Sequence, residues 1–531
     1  MASAEAHAHG GVPGTIRLVD EIGSSTAEAR SHHHGHIVLQ PHPSADPEDP
    51  LNWSRTRKLM AVGMVYLYVF AIGIATAVQY SCLTDIADAQ GLTVSNLNLG
   101  TGLMFLFLGW ACLLWQPIAM SYGRRGVYIV STVLSIIPMV WAPFSQGAGQ
   151  WYAHRILLGI FAAPVESLPE VSVPDLFFAH ERGHYMAVYA FVLFGSNFLA
   201  PFFAGFINDG AGWHWVMYFG ALVLAVAAII MFFFMEDTIY FRATSEGDES
   251  DSEKAEPSAE AQQAVQAQYP PARSYNQKLS FVTLLPGRPS PSQTLMKSWR
   301  ALEILVFFPN ILWAGLLYGT NLAWYNVMNG TMSTILGGAP YNFSPAMVGV
   351  AYLSPFVAGA ISSLWSGWFT DTVALRLARR NGGIREPEHR LWTLAVSGLL
   401  SSVGLILWGV GASRGVHVAG LIFGIAFVTF GVVCGGAIAL AYTVDCFKEI
   451  TGESMITVII IRNTLGFAFS YAINPWINNL GLQNCFISVS LIALVCTGTF
   501  LPMIWGGKRL RKLSARKYWF FVARERGTAL Y

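Results

Sequence analysis

Between Leu59 and Trp505 the chain alternates twelve apolar stretches with polar connections, and nothing else in the sequence restricts the fold so much. They run over 59–81, 97–118, 126–145, 151–172, 184–207, 213–235, 302–328, 345–369, 391–411, 416–442, 455–476 and 482–505. Each is near the ~20 residues a helix needs to cross ~30 Å of hydrocarbon. The expected fold class is an all-α membrane protein with twelve transmembrane helices. Composition agrees: 53% of residues are hydrophobic and 12% charged, where soluble domains carry about 25% charged residues.

Positive residues set the orientation. Arg55, Arg57 and Lys58 precede the first span. Arg124, Arg125, Arg182, the arginines from Arg376 to Arg390, Lys448 and the run from Lys508 to Lys512 fall on the same side, and only Arg414 falls on the other. Excess Lys and Arg mark the cytosolic face, so both termini are expected in the cytosol, in a multi-pass protein of the plasma membrane. Residues 1–58 have no apolar period and read as a disordered cytosolic tail, and no cleavable signal peptide is visible. Residues 59–235 and 302–506 form two sets of six spans. The segment 236–301 is a polar, acidic cytosolic linker with a short surface helix near Ser280 to Leu285, and 507–531 is a cytosolic C-terminal tail.

Several function classes drop out. A net charge of +1 gives no pull toward nucleic acid. The six cysteines lie singly, without paired metal-ligand spacing, and read as packing residues. The HHHGH run at 32–36 has metal-binding side chains but nothing nearby to fix a geometry, so no metal and no cofactor are expected. No nucleophile–base pair stands in the spans, so the chain is not expected to be an enzyme. In the exterior loop after the seventh span, Asn329-Gly330-Thr331 and Asn342-Phe343-Ser344 match the glycosylation triplet, Asn342 being the better placed.

The residues from Arg155 to Gly183 carry charge into the apolar fourth span. Arg155 and Glu166 are 11 residues apart, which brings them to within about 20° of one helix face, roughly 16 Å apart along the axis. Pro164, Pro169 and Pro174 each remove a backbone donor there. Irregular backbone and ionisable side chains at membrane depth persist where protein or a watery cavity covers them. Glu166, with Arg155, is therefore the expected proton or cation coupling site. In span seven Tyr318, Asn321 and Tyr325 form an aromatic and amide stripe suited to an organic substrate, with Gln79 of span one a weaker contact. Arg462 lies about 10 Å inside span eleven and is expected to be a structural charge paired between domains.

The two halves repeat a local pattern. QPIAMSYGRR after span two and GWFTDTVALR after span eight occupy corresponding positions. Together they resemble the G-x-x-x-D loop motif of the major facilitator superfamily, in which a carboxylate and arginines pair at the cytosolic gate. The second copy, with Asp371 and Arg376, is intact. The first has Gln116 and Met120 where Gly and Asp stand, and keeps Arg124 and Arg125. In span five, Gly195, Pro201 and Gly205 resemble the superfamily's antiporter motif, a bent and tightly packed helix associated with exporters. DPEDPLNWS, the E-x-L-P and DLFF-x-HERG pattern, GWHW and RNTLGF…YAINPW resemble the fungal drug:proton antiporter branch. That resemblance implies two pseudo-symmetric six-helix bundles, with helices one, four, seven and ten lining a central cavity. It implies a monomer in the lipid bilayer, with a small-molecule substrate and protons as its partners. Export of a secondary metabolite, toxin or drug is the expected function. Import or exchange of organic cations such as polyamines is the alternative, and a transporter-like nutrient receptor a more distant one.

Overall fold

The computed structural model describes residues 12–17, 46, 48–240, 275–282 and 291–525. The histidine run at 32–36 and the serine-rich acidic part of the linker lie outside them. Among the described residues, ten helices are long and apolar enough to cross a membrane. The first six are Arg55–Ser81, Val94–Tyr122, Arg124–Phe144, Gly147–Leu176, His184–Ala211 and Trp213–Phe234. Pro345–Arg380, Pro387–Ser413 and Val418–Cys446 are the eighth, ninth and tenth spans. The last stretch, Lys448–Arg524, holds two helices joined at Gly481, whose φ of 74° breaks the helical path and separates the eleventh span from the twelfth. An isolated positive φ of this kind suits glycine, which has no Cβ to clash.

The seventh span departs from a continuous 302–328. Pro309–Gly337 is preceded by Ser298–Phe307, which lies at 97° to it. Pro309 has no amide proton to donate and restricts Phe308, whose ψ of 82° is not helical. The last part of the expected linker is thus a helix, Pro291–Phe307, laid across one end of the molecule. Thr294 meets Ser121 at 3.1 Å, and the carbonyl of Ala301 accepts from Thr457 at 2.7 Å, so this helix touches both sets of spans. The short helix expected near Ser280 is found instead at Tyr275–Lys278, and Ser280 to Val282 are not helical.

The tails also hold structure. The helix Phe500–Glu525 runs on well past the membrane stretch, burying Arg511, Tyr518 and Phe521. From the other terminus, Ile16–Arg17 pairs antiparallel with Ile384–Arg385, and Arg511 donates to the carbonyl of Pro13. Residues 12–17 and the helix Phe500–Glu525 therefore lie on one side, called here the terminal side. The opposite, distal side is where spans five and eight meet.

Glycine lets backbones approach where spans cross. Gly404 of span nine and Gly424 of span ten face one another, each leaving room for the other's carbonyl. At the distal side Gly205 packs on the carbonyl of Pro345, Gly349 packs on Pro201 and Phe202, and Asn98 donates to the carbonyl of Gly330 at 3.1 Å. These contacts join the two halves at that end. Leu114, Ile229, Leu364 and Trp505, all more than half exposed, present the apolar outer surface that a bilayer covers.

Candidate functional site

Ala163 and Pro164 divide the fourth span into two helices, Gly147–Ala162 and Pro164–Leu176. Ala163 keeps helical backbone angles, φ −51° and ψ −35°, so the span runs on without a sharp bend, and it is the partners of Arg155 and Glu166 that differ. Arg155 lies in the first helix, buried, and donates to the carbonyl of Thr76 at 3.3 Å. No carboxylate pairs with it among the described residues. Glu166 stands in the first turn of the second helix and forms a buried ion pair with Arg462 of span eleven. Sequence reading expects Arg155 to share a site with Glu166 and Arg462 to pair between domains; the fold gives Arg462 the partner Glu166 and leaves Arg155 apart from it.

Arg462 also donates to the Tyr318 hydroxyl at 2.9 Å, with its guanidinium 4.8 Å from the centre of that ring. One cation thus ties span four of the first half to span seven of the second. The pair fronts a cavity between the two halves. Ile72, Gly73 and Thr76 of span one, Phe194 and Asn197 of span five, and Tyr318 and Tyr325 of span seven are in its wall. Apolar and aromatic groups dominate, with few polar ones, which is the usual make-up of a small-molecule site.

The other expected contacts divide. Tyr318 and Tyr325 face the cavity. Asn321 donates to the Leu317 carbonyl at 2.8 Å and packs against Gly435, away from the wall. Gln79 is buried and donates to Thr101 at 2.6 Å, so it closes a contact between spans one and two. Glu170 was not singled out from sequence. It follows Glu166 by one helical turn, and the charges of both Glu166 and Arg462 act on it. The i,i+4 spacing was the available signal.

At the terminal side the gate charges differ from the motif expectation. Asp371 pairs with Arg390 at 2.8 Å, and Arg390 pairs in turn with Asp445 at 2.6 Å. Arg376 is exposed and takes no part in that pair. Five residues along the helix Thr370–Arg380 put Arg376 about 140° round from Asp371, so the two cannot face each other. In the first half Arg124 pairs with Asp175 at 2.7 Å although the motif carboxylate is missing. Arg125 is buried and donates to the carbonyls of Met235 at 2.7 Å and Phe232 at 2.6 Å. Each half therefore ties an Arg at the start of its third helix to an Asp at the end of its fourth.

In span five Gly195 faces the Phe356 ring, the Pro201 carbonyl meets Gly349, and Gly205 meets Pro345, so all three residues lie on the contact with span eight. Asn342 is exposed, with a left-handed φ of 50°. Asn329 is fully buried inside the helix Pro309–Gly337 and is closed to a glycosylating enzyme.

A family model described as Major Facilitator Superfamily matches residues 65–452. An uncharacterized MFS-type transporter of Schizosaccharomyces pombe is 29% identical, over 96% of this chain and 94% of its own. The efflux pump vrtL of Penicillium aethiopicum is 23% identical, over 88% of this chain and 89% of its own. Among solved structures, a POT family transporter in complex with 5-aminolevulinic acid superposes with a TM-score of 0.58 at 13% identity, covering 83% of this chain and 95% of that one.

Proposed function

Because this chain belongs to the major facilitator superfamily, we propose that it is a proton-coupled secondary transporter that exports a small organic compound across the plasma membrane. Residues 59–235 and 302–506 are the two bundles that rock about a midplane site. The observation that carries this reading is the buried Glu166–Arg462 pair, which closes one wall of the cavity and links the halves. A buried ion pair contributes little net stability, because desolvation offsets the attraction. Its value here is that substrate or a proton can replace one partner by the other, and so shift the packing of one half against the other. Arg124, Asp175, Arg390, Asp371 and Asp445 are the terminal-side groups whose pairing changes as that face opens.

Exchange of organic cations is the second reading. It is favoured by a specific count: two carboxylates, Glu166 and Glu170, stand about one guanidinium, which leaves the site a surplus of acid for an amine.

The test uses inside-out plasma-membrane vesicles from a host expressing the full chain. A panel of fungal metabolites, polyamines and ethidium is offered with and without an imposed proton gradient. The expected result is accumulation of at least one compound that collapses with a protonophore. Accumulation that ignores the gradient across the whole panel would overturn proton coupling.

A further inference from the structure

At the cavity and one helical turn beyond its wall stand an unmatched donor and an unmatched acceptor. Arg462 spends Nη2 on Glu166 and Nη1 on Tyr318, while its Nε is buried with no hydrogen-bond partner. Glu170 is half-buried, with its Oε2 enclosed and without a partner. A carboxylate oxygen enclosed without a donor favours the protonated acid over the anion. Glu166 already occupies the guanidinium. Glu170 also lies one turn, about 6 Å, nearer the terminal side than Glu166, between the cavity and that compartment.

We propose that Glu170 carries the coupled proton, and that Arg462 is shared by the two carboxylates in turn. This rests on the transport reading above. In the structure described, Glu166 is ionised and paired with Arg462, and Glu170 holds its proton on the unpartnered oxygen. Substrate that binds Glu166 frees the guanidinium, which pairs with Glu170 as a carboxylate. The O–H bond of Glu170 breaks, and its proton passes to water on the terminal side. When substrate leaves, Arg462 returns to Glu166 and Glu170 takes up one proton. Charge balances at each step: one proton departs for each cationic substrate that binds.

The titratable groups whose charges interact with Glu170 come from several elements. From its own helix comes Glu166; from span eleven, Arg462; from span five, Tyr189; from span seven, Tyr318; from span two, Cys112. Tyr128 and Arg124 of span three are engaged further along the helix with Ser172 and Asp175. Among these Arg462 is the cation whose charge acts on Glu170, and its Nε has no partner.

The experiment uses the full-length protein in lipid vesicles, wild type beside Glu170→Gln, Glu170→Asp and Glu166→Gln. Infrared spectra at neutral pH first read the carbonyl stretch of a protonated carboxylic acid. Wild type is expected to show it and Glu170→Gln to lack it. Glu170→Asp keeps the band at a shifted frequency and serves if the Gln variant fails to fold. Glu166→Gln is expected to lose the band as well, because the freed guanidinium turns to Glu170. A band that survives unshifted in Glu170→Gln or Glu170→Asp, or one that persists in Glu166→Gln, overturns the proposal.

Ethidium flux then separates this proposal from the transport reading. One pH unit across the membrane supports about tenfold accumulation of a monovalent cation exchanged for one proton. Wild type is expected to approach that ratio, and Glu170→Gln to show exchange of ethidium but no accumulation. Gradient-driven accumulation retained in Glu170→Gln refutes the role of Glu170 and leaves proton coupling standing. Wild-type flux that ignores the gradient refutes coupling itself, whatever the spectra show.

Discussion

Replacing Arg462 by Met should be among the most damaging single changes in the membrane region, and the structure sets its size. The side chains of Arg462 and Glu166 are 7% and 11% exposed, so water reaches the lost partner's place only through the cavity. Breaking a buried pair from one side costs about 3–5 kcal/mol. The Tyr318 hydroxyl loses a bond to a charged group, a loss of about 1.5–3 kcal/mol that overlaps the first. The double variant Glu166→Gln with Arg462→Met removes both charges and should lie within about 1 kcal/mol of wild type or above it. Glu166→Gln alone should be milder than Arg462→Met, because the guanidinium keeps Tyr318 and can take Glu170. Five of the six cysteines are buried, so a thiol-reactive fluorogenic dye reports unfolding in a denaturant series. If Arg462→Met unfolds with wild type, or the double variant is as unstable as the single, the pair is not the buried contact described here.

Three further outcomes follow from other parts of the molecule. Arg511 is fully buried against Glu386 and Glu388 at 2.6 and 2.7 Å, so Arg511→Ala should cost about 3–5 kcal/mol at neutral pH. Burial of Glu386 works to raise its carboxyl, but hydrogen bonds from Lys508, Arg511 and Thr15 outweigh it and hold the group below its ordinary value of 4.5. A carboxylate lowered in the folded state adds stability above its unfolded pKa and loses it as pH falls through the folded one. The gap between wild type and Arg511→Ala should therefore narrow in unfolding series taken below about pH 4.5. Gly205→Val should hold the distal ends of spans five and eight apart at a cost of about 1–3 kcal/mol. A cysteine placed at the buried Ser333 should then react about fivefold or more faster with an impermeant maleimide added from the distal side. On protein from a fungal host, Asn342→Gln should remove the glycan shift on a gel, while Asn329→Gln should leave it unchanged.

Much of the architecture is legible because lipid is a strict solvent: it asks each span for some twenty apolar residues and leaves little freedom elsewhere. A charge inside such a stretch stands out, which is why Glu166 and Arg462 are both found from sequence. That they are partners is not legible. They are 296 residues apart and meet only when the two halves pack. Glu170 escapes notice because it lies two residues from the end of its apolar stretch, where a carboxylate reads as solvated. Local geometry misleads at Asp371 and Arg376, since motif spacing ignores the turn of the helix, and at Arg155, whose partner is the Thr76 carbonyl of span one and not a carboxylate of its own helix. The docked segments at 12–17 and 291–301 are too short and mixed in composition to stand out, and they take their places against tertiary partners such as Arg511 and Ser121.

The central claim is that the Glu166–Arg462 site couples substrate movement to protons. Its most direct measurement is gradient-driven flux by Glu166→Gln beside wild type in sealed vesicles, over a pH series, with surface expression and unfolding midpoint matched. The account predicts that wild-type flux follows the proton gradient and that the variant, folded and present in equal amount, shows none. Flux by Glu166→Gln that tracks the gradient as wild type does would contradict it.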